Sequence, residues 1–266
     1  MMFKNKTVWI TGASSGIGEH VAYEMASTGA NLILSARRQE ELERVSHGCQ
    51  ALGAAKDTIL VLPLDVTDEA ALAGAVPLAL GFKGHIDMLY NNAGISQRST
   101  CVDTDMAVYR KLFEVDVFGQ IALTKLVLPH MIERGQGHIA VTTSVAGKVG
   151  VKYRTGYCAA KHAMMGFFDA LRAEVSGLGI IVTTITPGFI KTAISENALV
   201  GDGSRFGKMD GNISGGMEVE DCARHIMKGF RAGKKEIAVG KGKEMLVLRI
   251  KRFLPNSLFK IMEKIG

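Results

Sequence analysis

The chain has 266 residues, 47% hydrophobic and only 22% charged, which is enough to bury a large core and excludes a mainly disordered or highly charged protein. The formal net charge is +6, yet residues 228–266 hold 11 of the 32 basic and 3 of the 26 acidic residues, so that segment carries +8 and the rest −2. The four cysteines, Cys49, Cys101, Cys158 and Cys222, are far apart and form no C-x-x-C pair. That argues against a zinc site or disulfide framework and suits a reducing, cytoplasmic setting.

Lys4 and Lys6 lead straight into residues 7–11, a short buried strand, so no secretory signal is expected. No apolar run is expected to reach the length of a membrane span. After the strand, Gly12, Gly16 and Gly18 make a glycine-rich turn, with a helix at 19–28 and a second strand at 31–35. A strand, a glycine turn, a helix and a parallel strand hold a pyrophosphate at a helix N-terminus. The spacing G-x-x-x-G-x-G differs from the commoner G-x-G-x-x-G. Further strands are predicted at 58–62, 87–90, 138–143, 180–186 and 236–239, and helices at 40–51, 68–80, 106–133, 157–177 and 220–232. No linker or repeat interrupts them. The alternation predicts one α/β domain over 1–266, Rossmann-like and doubly wound, with about seven parallel strands and helices on both faces. Ligands of such sheets bind at the carboxyl ends of the strands, where Gly12, Asn91, Ser144 and Pro187 fall.

Tyr157 lies thirteen positions after Ser144, and Lys161 four positions after that. Tyrosine and lysine four apart lie on one helix face. A free phenol, with a pKa of roughly 10, is a poor acid–base catalyst at neutral pH, and a neighbouring ammonium favours the phenolate. Tyr157 is therefore read as proton donor and acceptor, Lys161 as its activator, and Ser144 as a hydrogen-bonding group for the same substrate oxygen.

These stretches together resemble the short-chain dehydrogenase/reductase family. The run Thr11-Gly12-Ala13-Ser14-Ser15-Gly16-Ile17-Gly18 is similar to its cofactor turn, and Asn91-Asn92-Ala93-Gly94 to its motif after the fourth strand. Ser144, Tyr157 and Lys161 match its catalytic residues, and Asp65-Val66 the pair that meets the adenine. Pro187-Gly188, with Ile190 and Thr192, matches the segment that holds the nicotinamide carboxamide. The resemblance implies that Lys161 also holds the nicotinamide ribose, that Asn92 fixes the loop over the cofactor, and that the chain forms a homodimer or homotetramer. One position departs: Asp116 stands where the family's catalytic set has an asparagine, three residues before Gly119. Aspartate keeps the backbone carbonyl that holds a relay water in the family, but its carboxylate is expected to pair with Lys161 and weaken its pull on Tyr157. The expectation is reduced or pH-shifted activity; the alternative is a nucleotide-binding sensor or scaffold impaired through Asp116.

At the end of the second strand the sequence reads Ser35-Ala36-Arg37-Arg38, with no carboxylate before Glu40. An acidic residue there favours NAD, and arginine accommodates a 2′-phosphate, so NADP(H) is expected, read by Arg37 and Arg38 with Ser14 adding a hydroxyl. The expected chemistry is hydride transfer between nicotinamide and a carbonyl or secondary alcohol, in the direction of carbonyl reduction. Residues 193–217, rich in glycine, are read as a substrate lid, and Ile194, Leu199, Phe206 and Met209 suit an apolar, steroid-like, lipid-like or aromatic ketone as well as they suit packing. Residues 243–266 form a basic amphipathic extension, fit to lie on an anionic membrane surface or, as is commoner, to cover the pocket or a subunit contact. Nothing points to nucleic-acid or metal binding.

Overall fold

The computed structural model describes residues 3–264. Seven parallel strands form one sheet in the order β3-β2-β1-β4-β5-β6-β7: β1 Thr7–Thr11, β2 Asn31–Ser35, β3 Ile59–Val61, β4 Met88–Asn91, β5 Gly137–Thr142, β6 Ile180–Pro187 and β7 Glu236–Val239. Helices alternate with them: α1 Gly16–Ala26, α2 Gln39–Ala51, α3 Glu69–Lys83, α4 Met106–Phe113, α5 Gly119–Glu133, α6 Thr155–Glu174, α7 Gly211–Ser214 and α8 Val219–Arg231, followed by α9 Leu246–Phe253 and α10 Pro255–Lys264. Ile265 and Gly266, at the end of the expected extension, lie outside the described residues, as do Met1 and Met2.

Every residue of β1 is buried because both faces of the sheet are covered. Successive side chains alternate between those faces. Val8 and Ile10 join Leu32, Leu34, Met25 and Phe230 on one side, and Trp9 joins Ile33, Leu89, Leu123 and Phe168 on the other. Asp87 ties the amino ends together. It accepts from the Thr7 amide at 2.9 Å and pairs with His85 at 3.0 Å and with Lys6 and Arg134 at 3.3 Å.

Element boundaries differ from the pattern where backbone chemistry overrides it. α1 starts at Gly16, so Gly16 and Gly18 belong to its first turn. The third strand loses Thr58 to a 3-10 turn, Lys56–Thr58. The single helix expected over 106–133 is present but passes through a π turn at Glu114–Phe118 that contains Asp116. Residues Met106–Glu133 are long and apolar enough to cross a membrane, which corrects the expectation that no run reaches that length. Leu112, Leu123, Val127 and Met131 are nevertheless fully buried against the fold, the packing of a core helix.

Buried His138 in β5 hydrogen-bonds Thr183 Oγ1 at 2.9 Å and meets the edge of Phe230. Burial pushes its imidazole down to about 4, so the folded state holds it neutral. The unfolded chain protonates near roughly 6.5, so this contribution is complete above that pH and is lost as pH falls toward 4. Urea unfolding is expected to lose about 2 kcal/mol between pH 7 and pH 5 from this group, and His138→Gln to lose less over that range. Parallel losses in both proteins would exclude His138 as the source.

Candidate active site

The glycine turn leaves β1 at Thr11, whose Oγ1 accepts from the Asn92 and Ala93 amides at 3.0 and 3.1 Å. Asn92 Nδ2 donates to the carbonyls of Thr11 and Gly12, both at 3.3 Å, and its Oδ1 accepts from Thr142 Oγ1 at 3.0 Å. Asn92 thus fastens three strand ends together. Gly18 faces the Gly12 carbonyl and the Asn92 amide so closely that a Cβ has no room there. Its smallness serves helix-to-strand packing as well as phosphate approach. Ser14 is buried, Ser15 is exposed, and half-buried Ile17 packs on the core. No side chain caps α1 at Ser15. The first amides of this helix therefore form a cradle that fits a pyrophosphate.

One device here carries no signal in the motif. Glu19 is buried in the first turn of α1, where Arg44 from α2 clamps it through Nη1 at 2.7 Å and Nη2 at 3.0 Å. Tyr23 donates to the same carboxylate at 2.8 Å, and Arg44 also bonds Glu41 at 2.9 Å and the Ser14 carbonyl at 3.3 Å. Burial pushes the Glu19 carboxyl up, but the Arg44 and Tyr23 hydrogen bonds outweigh it and leave it below the usual range. Arg44 is fully engaged. Arg37 and Arg38, by contrast, are exposed at the end of β2 and form no ion pair among the described residues. Ser35 is turned inward, accepting from Trp9 Nε1 at 2.9 Å.

At the other end of the site, Ser144 follows β5 and its Oγ accepts from the Ala146 amide at 3.1 Å, which leaves the hydroxyl hydrogen free to donate. Tyr157 and Lys161 are one turn apart on α6, and Lys161 Nζ lies 5.6 Å from the Tyr157 ring centroid. Lys161 is almost wholly buried; its ammonium donates to the Thr142 carbonyl at 3.3 Å and faces Asp116 Oδ2 at 3.6 Å. Asp116 is fully buried, with Oδ1 accepting from the Ile95 amide at 2.7 Å and Oδ2 without a hydrogen-bond partner among the described residues. Burial raises its carboxyl above the usual range, and the Lys161 charge and Ile95 amide offset part of that. Gly94 lies directly over this pair.

Gln97, fully buried in the loop after β4, has no sequence signal but positions Tyr157. Its Oε1 accepts from the amides of Gly156 at 2.8 Å and Tyr157 at 3.4 Å, so α6 begins at Thr155, before Tyr157. Asp65 is half-buried and held by the Thr67 amide and hydroxyl, and the Val66 carbonyl lies against Gly119. Pro187 ends β6, and the Gly188 amide donates to Val239 at 2.8 Å. Ile190 is a core residue paired with Met217, while Thr192 reaches Gly16 and joins this segment to the glycine turn.

The 193–217 loop is pinned rather than hanging. Leu199 exchanges backbone bonds with Ser96 and Arg98, both at 2.8 Å, and its side chain is buried with Val108 and Leu112. Buried Asp210 pairs with Arg98 and with Arg154. Phe206 lies under Arg98, Ile194 is half-buried and Met209 is exposed. Leu199 therefore takes the packing role and not the pocket-lining one.

A glycine turn with free helix amides and a buried lysine beneath a tyrosine, both at the carboxyl edge of a parallel sheet, make this a dinucleotide-binding α/β oxidoreductase. The chain belongs to the short-chain dehydrogenase family, whose model matches residues 6–201. It is 44% identical over 261 residues to human dehydrogenase/reductase SDR family member 7, covering 97% of this chain and 77% of that protein. It is 38% identical over 262 residues to the zebrafish (Danio rerio) dehydrogenase/reductase SDR family member 7B, covering 97% and 85%. Among solved structures it is similar to a Streptomyces avermitilis short-chain dehydrogenase, at 26% identity and TM-score 0.82 over 98% of each chain. It is also similar to a Sphingobium yanoikuyae short-chain dehydrogenase in complex with NADPH, at 28% identity and TM-score 0.75 over 88% of this chain and 87% of that one. A Burkholderia phymatum relative in complex with NAD shares the fold at 23% identity and TM-score 0.82, over 95% and 94%.

Removing Arg44 strands the Glu19 charge beside the phosphate cradle and frees the Ser14 carbonyl. Arg44→Ala is expected to weaken binding of NADPH and NADH alike by about tenfold, consistent with loss of a charged hydrogen-bond pair. Fluorescence titration checks it, and unchanged affinities would reduce the clamp to a surface contact.

Proposed function

We propose that this protein is an NADPH-dependent carbonyl reductase in which Tyr157 protonates the oxygen of an apolar ketone. The observation that carries this reading is the buried Lys161 ammonium beneath the Tyr157 ring, fixed by Thr142 and facing Asp116. When bound, the nicotinamide supplies a hydride to the carbonyl carbon. Ser144 donates to the carbonyl oxygen and orients it, and Tyr157 delivers its hydroxyl proton as negative charge develops there. The remaining phenolate is stabilised by the Lys161 charge, which burial strengthens. Asn92 holds the loop beneath, and Lys161 is assigned, on the family resemblance, to hold the nicotinamide ribose as well.

The NADPH preference rests on charge at the end of β2. Among the described residues Arg37 and Arg38 have no acidic partner, while Glu41 and Glu19 are occupied by Arg44, so a 2′-phosphate meets two guanidinium groups free of ion pairs there. Asp65 and Val66 flank the adenine, and Pro187, Gly188, Ile190 and Thr192 frame the carboxamide. Exposed Met106, Phe118 and Leu126 on the α4–α5 segment support association into a homodimer or homotetramer. The sensor alternative rests on Asp116 alone, and Ser144, Tyr157 and Lys161 keep the chemical groups that turnover needs.

Tyr157→Phe is expected to lower turnover by roughly a hundredfold or more, the usual contribution of a general acid, with NADPH binding unchanged. Steady-state ketone reduction checks this; a variant as active as the parent would assign proton transfer elsewhere. Replacing Arg37 and Arg38 together by alanine should weaken NADPH at least roughly tenfold through loss of charged hydrogen bonds and spare NADH. Equal losses for both coenzymes would remove the phosphate-reading role.

Ionised Asp116 competes with the phenolate for the Lys161 charge. Because its carboxyl titrates above the usual range, the neutral form persists at lower pH and the competing charge appears as pH rises through that raised value. Asp116→Asn is therefore expected to increase turnover a few-fold at the higher pH, with the two pH–rate profiles converging on the acid side. An unchanged or lower rate across the profile would count against the competition.

A further inference from the structure

The C-terminal helices present a face that the fold leaves open. Of all residues in α9 and α10, Leu258 alone is buried. Leu246, Phe253, Leu254, Phe259 and Ile261 are exposed at 54%, 73%, 59%, 49% and 40%, five of the sixteen large apolar side chains exposed among the described residues. Leu246 and Phe253 are seven residues apart and share one face of α9. Interspersed with them are Arg249, Lys251, Arg252, Lys260 and Lys264, none of which forms an ion pair among the described residues. Lys251 instead covers the Phe259 ring at 4.3 Å, and Arg252 lies 6.0 Å from that of Phe253.

The start of this segment is fixed to the body. Glu244 and Met245, just before α9, pack against Gly188 and Gly240 at the carboxyl ends of β6 and β7. The two helices therefore extend from the same edge of the sheet as the candidate site.

We infer that α9 and α10 are a docking surface for an anionic lipid bilayer. Protruding phenylalanine and leucine with unneutralised lysine and arginine supply the two signals that interfacial binding needs, buried apolar area and attraction to anionic headgroups. A protein partner of ordinary composition leaves those charges unmatched, whereas a sheet of anionic headgroups matches all of them wherever they fall. Docked in this way, the chain turns the edge that carries Pro187 and Gly188 toward the membrane. The inference does not depend on the coenzyme preference or on turnover.

The test is sedimentation of the full chain with vesicles of phosphatidylcholine alone or mixed with phosphatidylglycerol. Binding to the mixed vesicles is expected to be at least roughly tenfold stronger than to the neutral ones and to weaken with salt. Replacing Arg249, Arg252 and Lys260 by glutamine should reduce it by roughly a hundredfold, at about fivefold per basic residue. Phe253→Ser with Leu254→Ser should reduce it at least roughly tenfold with every charge retained. Each variant should bind coenzyme like the parent, which shows that the fold is intact. No binding, equal binding to both vesicles, or binding indifferent to Phe253 and Leu254 overturns the inference. So does a smaller assembly of the Phe253/Leu254 variant in size-exclusion chromatography, which would assign the face to a second copy of the chain.

Discussion

The site is organised around a buried ammonium that must be hydrogen-bonded and balanced by charge. Lys161 sits 3% exposed in a helix that packs on the sheet, and an isolated charge there is strongly unfavourable. Its partners come from separate parts of the chain, the Thr142 carbonyl at the end of β5 and the Asp116 carboxylate in the π turn. Asp116 in turn holds the Ile95 amide, and Gln120, just beyond the turn, donates to the Ala93 carbonyl. Satisfying one lysine thus draws β5, the loop after β4, the π turn and α6 to one point. A π turn re-aims side chains that a regular helix would place elsewhere.

The glycine turn solves a similar problem with a different pair. Glu19 places a negative charge in the first turn of α1, favourable for the helix dipole but adverse to a phosphate bound nearby. Arg44 cancels that charge and at the same time braces the Ser14 carbonyl. Because Arg44 is consumed in this way, the cationic character at the end of β2 falls to Arg37 and Arg38. The two ends of the candidate site are joined by Asn92, which links Thr11 and Gly12 to Thr142, and Thr142 carries the connection to Lys161.

The sheet and the glycine, serine, tyrosine and lysine positions were legible in the sequence because each has a local cause. Buried strands read as short apolar runs, and Tyr157 and Lys161 are separated by one helical turn. What was not legible depends on contacts between distant residues. Gln97 caps α6 from about sixty positions away, and nothing in its neighbourhood marks it. Arg44 looks like any exposed helix arginine until α1 and α2 are packed together. The π turn is invisible to periodicity, since one extra residue per turn does not disturb an apolar pattern long enough to resemble a membrane span. The glycines of the 193–217 loop signalled freedom, whereas its fixed points, Leu199 and Asp210, are ordinary residues whose partners lie on α4 and beside α6.

Asp116 illustrates how one substitution separates two functions of a side chain. The Ile95 amide is held by Oδ1, and Lys161 is faced by Oδ2. A carboxamide keeps an acceptor oxygen for the amide and presents a neutral nitrogen where the second oxygen stood. The loop clamp is thus a property of either residue, but the negative charge belongs to aspartate alone. Burial resists that charge and Lys161 attracts it, so the balance between them sets the charge that Lys161 faces. An aspartate here places a titrating group against the lysine, which an asparagine cannot do. The departure from the family pattern is therefore a change in electrostatics, since either side chain offers the Ile95 amide an acceptor oxygen.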